Sequence, residues 1–268
     1  MFWRDGEIIE KVSVSDRSFQ YGDGCFTTIL TKHGNIMLWQ KHVARMNTAL
    51  KVLQIPQPNW SVVHEQLTSV ALTTPLAGLK IHVSRGCGGR GYSPSVESGP
   101  IVTISCFPYP PHYLSWREEG LSLMLCKTQL GLNPLLAGIK HNNRLEQILM
   151  KAEIEQTRFD DGLALDLNDN VVETSMANVF WVSEGKVYTP TLANSGVAGV
   201  MRAEVIEALK HLQIKCYEDE YSLSALLSAD EIFVSNCILG VAPVKKIEEA
   251  ALPIGRVTRR IQEYLDQC

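Results

Sequence analysis

The spacing of apolar and polar positions changes along the chain, and each change marks an element. CFTTIL (25–30) and NIMLW (35–39) are short β-branched and apolar runs separated by TKHGN, whose glycine suits a hairpin loop. Over residues 40–53, Val43, Met46, Leu50 and Leu53 recur at helical spacing, and Pro56 and Pro58 stop the helix. A second helix is predicted over 60–72, then strands over 79–84 and 101–107.

The second half alternates in the same way. LSLMLC (121–126) reads as a strand. A helix follows from Asn143, with Asn143 as cap, Glu146 completing a capping box, and Leu145, Ile148, Leu149 and Ala152 as its apolar face. GLALDL (162–167) and VFWVS (179–183) read as strands around an NDN turn. A helix is expected near Gly199, a strand at EIFVS (231–235), and a last helix at GRVTRRIQEYL (255–265). Three prolines within PYPP (108–111) cannot sit in a central strand or a helix interior, so 108–120 reads as a linker between domains 1–107 and 121–268. The expected fold class is mixed α/β (α+β), with partly antiparallel sheets rather than one doubly wound sheet.

Composition narrows the function classes. The chain has 268 residues, 45% hydrophobic and 20% charged, as expected of a globular protein. A net charge of −4 argues against a nucleic-acid partner. Seven scattered cysteines, including Cys268, with no Cys-x-x-Cys, read as reduced thiols. No apolar run is long enough to span a bilayer and the first residues carry charge, so a soluble cytoplasmic protein without a membrane partner is expected.

Candidate chemistry begins with SRGCGGRGY (84–92), in which Gly86, Gly88 and Gly91 match the dinucleotide fingerprint G-x-G-x-x-G. That reading needs a helix next, and the prolines and serines of 92–100 oppose one. A glycine-rich loop between strands is the better account, although it leaves Arg85 and Arg90 unexplained. His42, His82 and His141 have no metal-ligand spacing, and neither a nucleophile elbow nor a Walker loop is present.

Lys140 follows an apolar, glycine-containing segment. It is either a solvated surface lysine or one whose amine is tuned for covalent work. Arg45, at the edge of its helix's apolar stripe, either snorkels or grips an anion. Glu173 follows a turn, where acids are usually exposed. Gly196 and Gly199 precede a helix, as in a simple connection or an anion seat.

Taken in order, SVSDRSFQYGDGCFTT, LAGIKHNNRLEQ, ALDLNDNVVETSMANVFWV, GVAGVMR and ADEIFVSNCILGVAPV resemble the class IV pyridoxal-phosphate enzymes, which include branched-chain and D-amino acid aminotransferases and aminodeoxychorismate lyases. The resemblance implies a two-domain fold type IV enzyme (D-amino acid aminotransferase-like), with pyridoxal 5'-phosphate at the domain interface. It implies that Lys140, in the C-terminal domain, is the Schiff-base lysine. Glu173 would pair with the pyridine nitrogen and Arg45 would bind the phosphate. Val200 and Met201 would offer helix-start amides, with Ser235, Asn236 and Cys237 as a further phosphate-side loop. Where aminotransferases often carry threonine this chain has Cys237, a weaker donor that Asn236 would replace. Arg90 and Tyr92 fall where relatives trap a substrate carboxylate, and Phe26 where several have tyrosine. Arg85 is left between substrate contact and structural pairing.

Within the family, RGCGGRGYSP with NPLLAGIKHNNRLEQ is similar to the lyases. The expected activity is therefore conversion of 4-amino-4-deoxychorismate, a small molecule with carboxylates, to 4-aminobenzoate and pyruvate in folate biosynthesis. The alternative is a class IV aminotransferase for branched-chain or D-amino acids. A homodimer is expected, and no metal.

Overall fold

The computed structural model describes residues 1–95 and 99–267, which fall into two units. Residues 96–98, in the middle of the stretch read above as non-helical, and Cys268 lie outside the described residues.

The first unit runs from Met1 to Pro110 and includes Ile139–Asn143. Its elements are β1 (Phe2–Arg4), β2 (Glu7–Ile8), α1 (Arg17–Tyr21), β3 (Gly24–Lys32), β4 (Asn35–Ile36), α2 (Trp39–Val52), α3 (Trp60–Val70), β5 (Leu76–Ser84) and β6 (Ile101–Pro108). The strands form an antiparallel sheet in the order β2-β1-β6-β5-β3-β4. Alternation along β3 buries Cys25, Thr27, Ile29 and Thr31, while Phe26, Thr28 and Leu30 lie on the half-buried face. Leu79, Ile81 and Val83 of β5 share the buried face. On α2 the buried positions are His42, Met46, Ala49 and Leu50. Strand β4 is shorter than NIMLW predicts because Leu38, at φ 54°, leaves extended geometry before α2 begins.

The second unit comprises Pro111–Gly138 and the chain from Arg144 onward. It contains α4 (His112–Glu119), β7 (Leu121–Leu125), α5 (Leu145–Ile154), β8 (Asp161–Leu165), β9 (Val171–Thr174), β10 (Asn178–Ser183), β11 (Lys186–Pro190), α6 (Val200–His211), β12 (Cys216–Asp219), α7 (Leu223–Leu227), β13 (Glu231–Asn236), β14 (Gly240–Ile247), β15 (Ala250–Ala251) and α8 (Arg256–Asp266). Strand order is β12-β11-β10-β13-β14-β7-β8-β9. A further pairing of β9 with β10 closes part of the sheet on itself. Strands β10 and β13 are buried on both faces, which is why VFWV and IFV read as unbroken apolar runs. Val179, Trp181, Ile232 and Val234 enter one cluster, and Phe180, Val182 and Phe233 enter another, where Phe180 and Phe233 stack at 5.0 Å.

Four expectations change. The segment 108–120 holds helix α4 rather than a bare linker: Pro111 is its N-cap, where a missing N–H costs nothing, and Tyr113 and Trp116 pack on the core. Residues 139–143, including Lys140, group with the first unit rather than with 121–268. Asn143 does not cap α5: its side chain donates to the carbonyl of Gly22, Arg144 takes the cap position, and Glu146 accepts from the amide of Gly131. Finally, α5 buries Met150 and Ile154 and leaves Leu145, Ile148 and Leu149 exposed at 73%, 60% and 58%. Its sequence is apolar on two faces, so spacing cannot choose between them. No helix among the described residues is long and apolar enough to cross a membrane.

Candidate active site

In the first unit the site is built on the leading end of β3. Strand β4 pairs only with Thr31 and Lys32, so the other end of that edge is taken by residues 140–142. The amide of Phe26 donates to the carbonyl of Lys140 at 2.9 Å, and the amide of Asn142 donates to Gly24 at 3.0 Å. The Asn142 side chain donates to Ser18 at 2.8 Å and to the Val83 carbonyl at 3.3 Å. Only glycine fits at 24: a Cβ there would lie 2.1 Å from the Val83 carbonyl oxygen and 2.5 Å from the Asn142 amide nitrogen. The two asparagines of KHNN therefore fix the lysine to the sheet instead of starting the helix.

With the backbone held, the amine of Lys140 lies 4.7 Å from the centre of the Phe26 ring. A second amine, that of Lys80 on β5, lies 4.6 Å from the same centre. Burial holds the Lys80 amine below its ordinary pKa. His82, two residues on along the same face, is lowered by burial and then by the charge of Lys80. Lys80 and His82 also line a cavity of about 410 Å³ on this face, with Arg4 and Thr103. Sequence reading missed Lys80. Its signal was period two, because LKIHVS places Lys80 and His82 on the face opposite the buried Leu79, Ile81 and Val83.

On the other face of β3, Arg45 turns inward and donates to the hydroxyl of Thr27, which is 2.7 Å from Nδ1 of His42. The glycine loop is held by a separate ionic hub. Arg85 donates to both oxygens of Asp23, at 2.7 and 3.0 Å, and to the carbonyls of Leu53 and Gln54. Arg17 donates to Asp23 at 2.8 Å and to the carbonyl of Gly91. Burial pushes the Asp23 carboxyl up, but its bonds to Arg85 and Arg17 outweigh that and hold it below the usual range. Arg85 is thus a structural residue. Arg90 and Tyr92 stay on the surface: Tyr92 is 88% exposed, its ring edge-on to Tyr21 at 5.6 Å. They do not join the Phe26–Lys140 group. The loop enters no helix among its described residues, which disposes of the dinucleotide reading.

In the second unit one residue ties the remaining candidates together. Asn178 on β10 pairs with Glu173 on β9 and with Ser235 on β13. Its side-chain nitrogen donates to the Val197 carbonyl at 2.8 Å and to Glu173 at 3.4 Å. A Cβ at Gly199 would meet the Asn178 side-chain oxygen at 2.2 Å, so glycine is required there. Glu173 is 5% exposed and accepts from the Val197 amide at 3.0 Å, which makes it a buried carboxylate rather than the exposed acid its turn suggested. Sequence reading missed Asn178, whose only mark was a polar side chain opening an apolar strand.

The chemistry of this unit fits pyridoxal 5'-phosphate. Ser235 is fully buried and its hydroxyl has no hydrogen-bond partner among the described residues, an arrangement that a ligand oxygen would relieve. Gly199 caps α6 with no side chain, so Val200 and Met201 open the helix with amides suited to phosphate. The Asn236 side-chain oxygen accepts from the amides of Ile238 and Leu239, at 3.0 and 2.8 Å, and its nitrogen donates to the Met176 carbonyl at 3.4 Å. Cys237 is half-buried on the same turn.

Comparison with known proteins agrees with this reading. Aminodeoxychorismate lyase of Vibrio harveyi is 52% identical over 270 residues, covering 99% of this chain and 100% of that one. The crystal structure of 4-amino-4-deoxychorismate lyase from Pseudomonas aeruginosa matches with a TM-score of 0.93 and 36% identity, covering 100% of this chain and 98% of that one. The branched-chain-amino-acid aminotransferase of Escherichia coli K12 is 26% identical, covering 97% of this chain and 90% of that one. Residues 24–247 match the amino-transferase class IV family model, and this protein belongs to that family.

Proposed function

We propose that this protein is a pyridoxal-phosphate-dependent lyase that converts 4-amino-4-deoxychorismate to 4-aminobenzoate and pyruvate, a step of folate biosynthesis. The observation that carries this reading is the 52% identity, over the whole chain, to the lyase of Vibrio harveyi. Bound cofactor supplies an electron sink for the charge that develops when the substrate loses a proton.

The chain's own residues divide the remaining work. In the resting enzyme Lys140 would hold the cofactor covalently. Once the substrate amine displaces it from the cofactor, its freed Nζ would take the proton from the ring carbon that bears the substrate amine. The neighbouring ring carbon then releases the enolpyruvyl ether, and the ring becomes aromatic. The ring carbon loses one proton and the departing enolpyruvate gains one, so Nζ needs only to carry protons, not consume them. Glu173, buried and held by Asn178 and the Val197 amide, would face the pyridine nitrogen. By the family resemblance, Arg45 would bind the phosphate, as would the opening amides of α6 and the hydroxyl of Ser235.

The substrate carries two carboxylates. Lys80 offers a positive charge beside Phe26, and Arg90 and Tyr92 offer contacts from the exposed loop. Phe26 replaces the tyrosine of several relatives with an apolar ring, so the cations rather than a phenol would orient the acid groups.

The reading includes a homodimer in the cytoplasm. Leu132, Leu135, Leu145, Ile148 and Leu149 expose a band of large aliphatic side chains on and beside α5. The bond from the Gly131 amide to Glu146 ties the loop to the helix. Such a band supports burial against a second copy. The test supplies 4-amino-4-deoxychorismate and measures 4-aminobenzoate and pyruvate, with an amino acid plus 2-oxoglutarate as the competing assay. Fast amino transfer without 4-aminobenzoate would assign the chain to the aminotransferases instead.

A further inference from the structure

Thr27 is fully buried on β3, at a position where valine would fill the same space between Cys25 and Ile29. A buried hydroxyl is costly unless it is hydrogen-bonded, so its presence needs a reason. Its neighbours supply one. The guanidinium of Arg45 donates to Oγ1, and Nδ1 of His42, which is 1% exposed, lies 2.7 Å from the same oxygen. His42 and Arg45 are three residues apart on α2 and so share a face.

Counting donors gives the chain a direction. A guanidinium can only donate, so Oγ1 accepts from Arg45. The hydroxyl then has its own hydrogen to give, and the acceptor in reach is Nδ1 of His42. That requires an imidazole with its proton on Nε2. Burial, and then the charge of Arg45, push the His42 pKa down to about 3, so the ring is neutral at any working pH. A protonated ring would turn Nδ1 into a donor, take away the acceptor of the hydroxyl hydrogen, and add a second positive charge beside Arg45.

We infer that Thr27 and His42 are positioning residues for the cofactor phosphate, acting through Arg45. The inference rests on the proposed assignment of Arg45 to that phosphate. An arginine side chain has many rotamers, and its value as an anion clamp lies in a planar fork held in one orientation. One N–H committed to an oxygen on β3 fixes that plane. His42 keeps the hydroxyl hydrogen turned away from the guanidinium. The same strand holds Lys140 through the Phe26 amide, so adjacent residues of β3 set both the lysine and the arginine.

The test uses the full chain, freed of cofactor, with pyridoxal 5'-phosphate and with pyridoxal, which lacks the phosphate. Dissociation constants are read from the borohydride-sensitive visible band, and the thermal midpoint of each cofactor-free variant is recorded. Thr27→Val should weaken pyridoxal 5'-phosphate about tenfold, as loss of an orienting partner does at metal sites. It should leave pyridoxal unchanged, while Thr27→Ser restores near-normal binding. In an Arg45→Ala background Thr27→Val should have no further effect. If Thr27→Val weakens both compounds equally, or keeps its penalty without Arg45, Thr27 is packing only and the inference is wrong. If Thr27→Val does not fold, His42→Asn decides by the same two criteria. If Arg45→Ala leaves pyridoxal 5'-phosphate binding unchanged, the relay falls with the Arg45 assignment. The lyase reading is judged separately, by 4-aminobenzoate formation.

Discussion

The amide of Phe26 donates to the carbonyl of Lys140 at 2.9 Å, and the ring of the same phenylalanine lies 4.7 Å from the lysine amine. One residue of β3 thus sets both the backbone and the head group of the lysine proposed to hold the cofactor. Lys140→Ala is expected to be colourless after incubation with pyridoxal 5'-phosphate, with no band near the visible edge that borohydride removes. A variant that keeps such a band would move the covalent role to another lysine.

Asp23 is the shared acceptor of Arg17 and Arg85, both nearly buried. Asp23→Asn leaves two buried cations without their anion, a class of change that costs about 3–5 kcal/mol. Urea denaturation should show a loss of that size with an unchanged m-value. Arg90→Ala, on the exposed loop, should fall within about 0.5 kcal/mol of wild type. Equal effects from the two would contradict the separation of the structural arginines from Arg90.

His42 gives stability a pH dependence of known sign. Its folded pKa, about 3, lies below the ordinary 6.5, so between those values the unfolded chain binds a proton that the native state does not. Stability therefore falls as pH drops through 6.5. His82 is lowered too and acts with the same sign, whereas Asp161, pushed up by burial, acts oppositely. Both are retained in a His42→Asn variant, so they cancel in the comparison. The thermal midpoint of wild type should drop more steeply between pH 7 and pH 4 than that of the variant. Parallel curves would mean that His42 is not held neutral.

The exposed band on α5 predicts oligomeric state. Wild type should sediment as a dimer at micromolar concentration, and Ile148→Glu should shift it towards monomer without lowering helix content. A monomeric wild type, or an unaffected dimer, would contradict the homodimer proposed from Leu145, Ile148 and Leu149.

The elements with a clear apolar pattern were legible in the sequence. The expected 40–53 helix is α2 within one residue at each end, and EIFVS lies within β13. Helix α5 was placed, but with the wrong face inward, because Met150 and Ile154 compete with Ile148 and Leu149 and only tertiary packing chooses. Strand β9 was missed: VVET is four residues long and its acid looked like a turn residue. The chemistry of Lys140, Arg45 and Glu173 came from the family resemblance, since nothing local distinguishes Lys140 from a surface lysine. Long-range partners were beyond reach. Asn178, Lys80 and the Thr27–His42 pair acquire meaning only when strands are set side by side.

The central claim is the reaction itself, and product analysis tests it most directly. Purified protein loaded with pyridoxal 5'-phosphate and given 4-amino-4-deoxychorismate should release 4-aminobenzoate and pyruvate in equal amounts, and Lys140→Ala should release neither. If wild type forms no 4-aminobenzoate but rapidly moves an amino group from an amino acid to 2-oxoglutarate, the lyase assignment is wrong.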